Sequence, residues 1–337
     1  MRLGRIQRQP VLPAHFDGNA KRTEETIPMS RVNATALAIA GLLFCSVASA
    51  QVQRSFVASH GSDSNTATNC GFANPCRGFT AAQSVTNSGG EIVALDAAGY
   101  GAITITKSIS IIANPGFYAG ISASTGNAVT IATASVNVRL SGLRINGIGA
   151  TNGVLMTNGA SLTIDNCTIS GFSNNGVEVT TAAKVRMVGS LVMNNGAAGL
   201  FVARGGVGSV SNSKFLGNQY GVWAYENVTA GTTTTISVSN SIAAGNTHGF
   251  VAQADVASTA KISVSNSSAD DNITAGIGAY QAGGGVALAV FGSTKATHNG
   301  TGVTDYASGA ALRSAGNNLV NDNATNTLGT ITNVGTM

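Results

Sequence analysis

Residues 166–179 read NCTISGFSNNGVEV, and versions of this segment recur through the rest of the chain, for example NSIAAGNTHGFVA at 240–252. Each version contains a glycine that precedes a short apolar run. These glycines follow one another at steps of 23, 23, 22, 28, 27 and 26 residues: Gly153, Gly176, Gly199, Gly221, Gly249, Gly276 and Gly302. A period in the twenties predicts a solenoid, in which equivalent residues of successive coils lie side by side.

Each repeat predicts two short strands that are joined by a turn rich in asparagine. The first strand follows the pattern SLTI at 161–164, and the second follows the glycine, as in VEV at 177–179. Asparagine accepts left-handed turn conformations, and its amide can hydrogen-bond to the same residue one coil away. The turn asparagines are Asn174, Asn175, Asn194, Asn195, Asn218, Asn246, Asn272 and Asn299. Because no 3.6-residue period is sustained, we predict an all-β parallel β-helix and no helical solenoid.

The chain divides into three parts by pattern. Residues 1–50 predict an N-terminal extension and a secretory signal peptide, with an apolar run at 36–47, cleavage near Ala50 and a plausible true start at Met29. Residues 51–128 predict an N-terminal cap and the first coils, with a short capping helix at 79–85 that ends before Gly89 and Gly90. Residues 129–337 predict the regular coils.

Removal of the leader changes the charge of the chain. Residues 1–50 hold six of the 18 Lys and Arg and three of the 14 Asp and Glu, so the remainder has 12 basic and 11 acidic residues, a net charge of +1. This balance argues against nucleic acid as a partner. No later apolar stretch is long enough for a transmembrane segment, so we expect a secreted, periplasmic or cell-surface protein.

The cysteines agree with export. Cys70 and Cys76 lie six residues apart in a loop rich in Gly, Asn and Pro, and we expect a disulfide between them. Cys167 aligns with a column of serines and is expected to be a small buried stacking residue. The column contains Ser190, Ser213, Ser241, Ser267 and Ser293.

The segments VASHGSD at 57–63, NPCRGFTAA at 74–82 and GEIVALD at 90–96 resemble the first coil of bacterial right-handed parallel β-helix proteins of the pectate-lyase-like superfamily. The later coils are similar to the generic repeats of that superfamily. The resemblance covers nearly all of the chain after residue 50 and implies the right-handed fold. It also implies a range of functions, from lyases, hydrolases and epimerases of polysaccharides to non-enzymatic binders, and the fold alone does not choose among them.

Strand alternation after the repeat glycine predicts an outer strip of aromatic residues. The strip consists of Phe201, Trp223, Tyr225, Tyr280 and Tyr306, with Arg204, Glu226 and Asp255 beside it. Exposed aromatic rings next to charged groups suit the apolar faces and hydroxyls of a glycan. The alternative is that these rings merely cover one face of a sheet, where Tyr and Trp are favoured.

A second candidate lies in the asparagine-rich turn, where Asp271, His298 and Asp322 are expected on three successive coils. An Asp–His pair there is a hypothesis for general acid–base catalysis. The alternative is that Asp and His replace Asn in an ordinary turn. We find no calcium or zinc motif in the sequence and expect no cofactor. Three functions stay open: a glycan-binding protein, a polysaccharide lyase, hydrolase or epimerase, and a structural or adhesive module.

Overall fold

The computed structural model describes residues 51–228 and 230–335. The predicted signal peptide, its start at Met29 and its cleavage site near Ala50 lie outside the described residues. None of the described helices is long and apolar enough to cross a membrane.

The described residues form a parallel β-solenoid with three sheets of 12, 10 and 10 strands, which we call sheets 1, 2 and 3 in the order in which each coil visits them. The strands of sheet 1 are Val52–Val57, Thr86–Ala94, Ile109–Ala113, Asn137–Ser141, Ser161–Asp165, Lys184–Val188, Val207–Ser211, Thr233–Ser239, Thr259–Ser265, Val286–Gly292, Ala310–Ser314 and Ile331–Asn333. Those of sheet 2 are Ala98–Gly99, Ala119–Ala123, Arg144–Gly147, Thr168–Ser170, Leu191–Met193, Lys214–Leu216, Ile242–Ala244, Ser268–Asp270, Lys295–Thr297 and Leu319–Asn321. Those of sheet 3 are Ile103–Ile105, Asn127–Ile131, Asn152–Met156, Val177–Val179, Ala198–Val202, Tyr220–Glu226, His248–Ala254, Ala275–Gln281, Thr301–Tyr306 and Thr325–Leu328.

Each coil therefore has one strand more than the sequence pattern predicts. The additional strand is that of sheet 2, which spans only three residues in coils such as Thr168–Ser170 and Leu191–Met193. A run of three residues is too short to show alternation, so the prediction treated it as part of the turn. Residues with a left-handed backbone conformation flank these short strands and limit their length. Asn212 (φ 51°) and Gly217 (φ 62°), for example, lie on either side of the strand Lys214–Leu216.

The repeat glycine is explained by how closely successive coils approach. A Cβ atom on Gly249 would lie 2.4 Å from the carbonyl oxygen of Gly276 on the next coil. The same clash, at 2.4–2.9 Å, would occur from Gly153 through Gly276. No other residue fits this position without moving the backbone, which is why the period is readable in the sequence.

The predicted asparagine ladder is confirmed. Each Asn side chain donates from Nδ2 to Oδ1 of the next at 2.8–3.1 Å, along Asn195, Asn218, Asn246, Asn272, Asn299 and Asn323. The same Oδ1 atoms also accept backbone N–H groups, as Asn246 Oδ1 accepts from Asn218 N at 2.9 Å. The ladder thus satisfies polar groups that would otherwise be unpaired inside the solenoid.

A second internal column contains Cys167 and the serines. The backbone N–H of Cys167 donates to Ser190 Oγ at 3.2 Å, and the pattern continues through Ser213, Ser241 and Ser267. The prediction that Ser293 is the next member of this column is wrong. Ser293 is exposed and has φ 50°, and the next residue, Thr294, is the one that is buried in line with the serines. Burial raises the pKa of the Cys167 thiol to about 11, as expected for an inert packing residue.

At the amino-terminal end of the described stack, the helix Phe79–Val85 spans the predicted residues. It buries Phe79, Ala82 and Val85 against the first strands, and its Gln83 Nε2 donates to the carbonyl oxygen of Thr104 at 3.0 Å. Its role as a cap over the open end stays a prediction. A 3-10 helix at Asp63–Thr68 precedes it, and the predicted disulfide between Cys70 and Cys76 is formed and buried.

Candidate functional site

The strands of sheet 3 become longer in the coils where the repeat length increases from 22–23 to 26–28 residues. The strands of sheet 3 span three and five residues at Val177–Val179 and Ala198–Val202, but seven at Tyr220–Glu226, His248–Ala254 and Ala275–Gln281. The added residues extend the outer face of sheet 3. Additional outward side chains therefore lie on these coils and not on the earlier ones.

Three aromatic residues of the strip, Phe201, Trp223 and Tyr225, pack together on this face. Phe201 and Trp223 are paired in register, and their ring centroids are 5.0 Å apart. Tyr225 packs against Trp223 at 4.8 Å. Because rings at these distances cover one another, Phe201 and Trp223 are half-buried and present less surface than a row of free rings would.

Two residues that the sequence analysis missed complete the cluster. Tyr220 stacks on Trp223 at 4.1 Å with an interplanar angle of 15°, and His248 stacks on Tyr220 at 5.0 Å and 11°. Both residues directly precede a repeat glycine. Simple alternation does not find them, because it breaks at the glycine: Gly221 and Val222 are both buried, and the strand pairing skips the glycine, so the residue before it faces outward.

An open groove of about 340 Å³ lies beside this cluster. Its lining comes from four successive coils: Tyr220; His248, Gln253 and Asp255; Tyr280, Gln281 and Ala282; and Tyr306. Four coils at about 4.8 Å per step give the groove a span of roughly 14 Å along the solenoid axis. The size is within the range of small-ligand sites.

The polar groups of the groove are held by hydrogen bonds. The Tyr225 hydroxyl donates to Asp255 Oδ2 at 2.6 Å, and Gln253 Nε2 donates to Asp255 Oδ1 at 3.0 Å. The Tyr280 hydroxyl lies 3.2 Å from His248 Nδ1, within hydrogen-bond distance. These contacts fix the direction of the polar groups, and such preorganisation is a general way to lower the entropic cost of binding.

A glycine allows Tyr280 to take its place. The Tyr280 ring lies over Gly278, where a Cβ atom would meet ring atoms at 2.5–2.9 Å. Gly278 occupies the position that is Trp223 two coils earlier. On the Trp223 coil this part of the sheet is covered by the Trp223 side chain. On the Gly278 coil it is covered by the ring of Tyr280, which comes from two residues further along the same strand.

The protonation states follow from burial. Desolvation, followed by the hydrogen bond to Asp255, raises the pKa of Tyr225 to about 12, and desolvation raises that of Tyr280 to about 12. Desolvation also lowers the pKa of His248 from its ordinary value of 6.5. At neutral pH the tyrosines and His248 are therefore uncharged.

The three charged residues that were predicted to flank the strip lie in three different environments. Asp255 lies in the groove, whereas Arg204 is exposed in a turn (φ 55°) and does not line it. The prediction is wrong for Glu226, which is fully buried inside the solenoid. Its Oε2 accepts from Gly205 N at 3.0 Å and from Thr234 Oγ1 at 2.8 Å, so it secures the turn where the coils lengthen.

The second predicted cluster is stacked as expected. The backbone N–H of Asp271 donates to Thr297 O, and that of His298 to Asp322 O, which places the three residues on successive coils. All three are exposed and left-handed, with φ of 53–58°. Within the described chain, no hydrogen bond or ion pair joins their side chains. The catalytic hypothesis for these residues stays a prediction.

The described residues contain no group of three or more His, Cys, Asp or Glu that could hold a metal ion.

A family profile described as a right-handed beta helix region matches residues 45–236 and 119–289 of this chain. No curated protein matches the chain significantly. Among solved structures, a crystal structure of the pectate lyase Pel9A matches with a TM-score of 0.54 and 18% identity, over 77% of this chain and 74% of that chain.

Proposed function

Because this chain belongs to the family of right-handed β-helix proteins, we propose that it is an exported protein that binds a polysaccharide or a cell-surface glycan in the sheet-3 groove. The observation that carries the proposal is the groove itself. Its lining spans four successive coils, its walls include Tyr220, Tyr280 and Tyr306, and Gln253 and Asp255 supply polar groups. A linear chain of sugar residues matches this combination of length, aromatic surface and hydrogen-bonding groups.

The exposure of Tyr306 supports a binding role. This side chain is 68% exposed at the wall of the groove, so its ring covers little of the sheet beneath it. Sheet covering explains Phe201 and Trp223, which pack against each other, but it does not explain Tyr306. An exposed ring beside a groove is a ready stacking surface for the apolar face of a sugar.

The fold supports a polysaccharide as the ligand, and the N-terminal residues and the disulfide support export. Pel9A is, by its name, a pectate lyase, so a protein with a similar fold acts on a polysaccharide. Export is supported by the signal-like residues 29–50 and by the buried disulfide Cys70–Cys76.

Affinity electrophoresis through gels that contain different polysaccharides tests the proposal. We expect at least one glycan to retard the parent, and Tyr306→Ala to weaken that interaction about tenfold, since contacts made by one aromatic ring contribute roughly 0.5–1.5 kcal/mol beyond the area they bury. Phe72→Ala is the matched control: Phe72 is 71% exposed but lies in the loop near the disulfide, so retardation should be unchanged.

Two results would contradict the proposal. If Tyr306→Ala and Trp223→Ala migrate as the parent does in every gel, the strip only covers the sheet. If the parent instead releases reducing ends or unsaturated products from the same polysaccharides, and His298→Asn abolishes this release, the turn with Asp271, His298 and Asp322 is the functional site.

A further inference from the structure

The groove has a simple charge pattern. Of the residues that line it, Asp255 alone carries a carboxylate, and none is a Lys or Arg. His248 is kept neutral, because burial lowers its pKa. Arg204, the cation that the sequence placed beside the strip, does not reach the lining. The groove therefore presents one negative charge and no compensating positive one.

The surroundings of Asp255 do not cancel its charge. Its two hydrogen-bond donors, the Tyr225 hydroxyl and the Gln253 amide, are both neutral groups. No salt bridge to Asp255 is found within residues 51–228 and 230–335. A carboxylate has about four lone-pair positions, so it can still accept a hydrogen bond from a sugar hydroxyl.

We infer that the groove selects neutral sugar residues and excludes uronate residues, an inference that rests on the proposed glycan binding. A neutral sugar offers hydroxyl donors to the Asp255 carboxylate and an apolar face to Tyr306. A uronate carboxylate in the same place meets a like charge and finds no Lys or Arg partner. Like-charge contacts of this kind are a common means of rejecting the wrong ligand.

The charge that rejects a uronate is local to the groove. The net charge of residues 51–337 is +1, so the protein as a whole does not repel an acidic polymer. Discrimination against uronates must then come from the local charge of Asp255. It should weaken as salt screens that charge.

The single tryptophan gives a local readout of binding. Trp223 is the sole Trp of the sequence, and Tyr220 both stacks on it and lines the groove. We would titrate the parent with neutral gluco- and manno-oligosaccharides and with oligogalacturonates of matched length, following Trp223 fluorescence. We expect at least one neutral series to change the emission, and oligogalacturonates to bind at least tenfold more weakly, since two unit charges within a few ångströms at a protein surface interact by an amount of this order.

The variant Asp255→Asn tests whether the charge of Asp255 is what rejects uronates. This variant removes the charge but keeps an amide oxygen as acceptor for Tyr225, and should raise the affinity for oligogalacturonate about tenfold while neutral binding falls several-fold. Glu91→Gln removes an equal charge from an exposed ion pair with Arg54 on sheet 1, and should change neither affinity.

The outcomes distinguish the inference from the proposed function. Oligogalacturonate that binds the parent as tightly as the neutral series, or Asp255→Asn that leaves the preference unchanged, overturns the inference and leaves glycan binding intact. No change of Trp223 emission with any sugar, together with no retardation in the gels, overturns both.

Discussion

Two columns of residues run along the same coils of this solenoid, one inside it and one on its surface. Inside, asparagine occupies the ladder position at Asn195, Asn218, Asn246, Asn272, Asn299 and Asn323. On the surface, the outward position of sheet 3 changes from coil to coil, through Glu178, Phe201, Trp223, Val251, Gly278 and Thr304. The fold requires the first column to be uniform and places no such demand on the second.

The difference follows from how each column is satisfied. Each buried Asn makes its hydrogen bonds to the next one, so any other side chain leaves two neighbours unpaired. An outward side chain takes part in no such ladder, even where neighbouring side chains cover it as they cover Val251, so its identity can change from coil to coil. The ladder does not require aromatic residues on the lengthened coils, and the exposed Tyr306, which packs against no other ring of the described residues, is the one on which the proposed binding role depends most.

The largest effect is expected inside the solenoid. Asn246→Ala removes the acceptor of Asn218 N and Asn218 Nδ2, and the donor to Phe215 O and to Asn272 Oδ1. We expect the free energy of unfolding to fall by about 3 kcal/mol, because buried unpaired groups cost about 1–3 kcal/mol each and partial relaxation recovers some of this. Chemical denaturation followed by circular dichroism measures the change.

The adjacent Gln219 provides the control for this substitution. It is exposed and follows Asn218, the ladder residue of the preceding coil, and Gln219→Ala should change the free energy of unfolding by less than about 0.5 kcal/mol. Equal losses in the two variants would show that the ladder is no more important than the surface, and the comparison between the two columns would not stand.

A smaller effect, confined to binding, is expected from Gly278→Ala. The new methyl group would displace the tip of the Tyr280 side chain, which lies over this glycine, and so disturb its contact with His248. Because a flexible side chain moves more easily than backbone, stability should change by less than about 1 kcal/mol. We expect glycan affinity to fall about tenfold, or ~1.4 kcal/mol, by Trp223 fluorescence.

Gly99 is the matched glycine for this test. It also lies in a strand, but nothing is found within 4 Å of a Cβ atom built on it. Gly99→Ala should leave affinity unchanged. If Gly278→Ala also binds like the parent, Tyr280 is not a wall of the binding site.

The sequence predicted those features that depend on local chemistry or on a clear period, and it missed those that depend on where a strand changes its course. The glycine and asparagine columns, the helix Phe79–Val85 and the disulfide were all readable, because each depends on local chemistry or on a period. Glu226 was misplaced because it was grouped with the strip by its nearness in sequence, although alternation from Trp223 and Tyr225 places it on the inner face. Tyr220 and His248 were missed because they precede the glycine from which alternation was counted.

One signal of the groove was nevertheless present in the sequence. The step between repeat glycines increases from 22 to 28 residues between Gly221 and Gly249, where sheet 3 gains its longer strands. Insertions in a solenoid lengthen one face and are often where binding surfaces lie. A change of period therefore indicates the site better than the identity of any aromatic residue in it.

The smallest effect concerns His248 and pH. Since burial lowers its pKa in the folded protein, the unfolded chain takes up a proton first as the pH falls, and stability is lost through the ordinary value of 6.5 and down to the folded value. The melting temperature of the parent should therefore decrease between about pH 7 and pH 5. His248→Phe keeps a ring beside Tyr220 and should decrease less over the same range. Nuclear magnetic resonance of the His248 ring measures its pKa directly, and a value at or above 6.5 would contradict the assignment of a buried, neutral imidazole between Tyr220 and Tyr280.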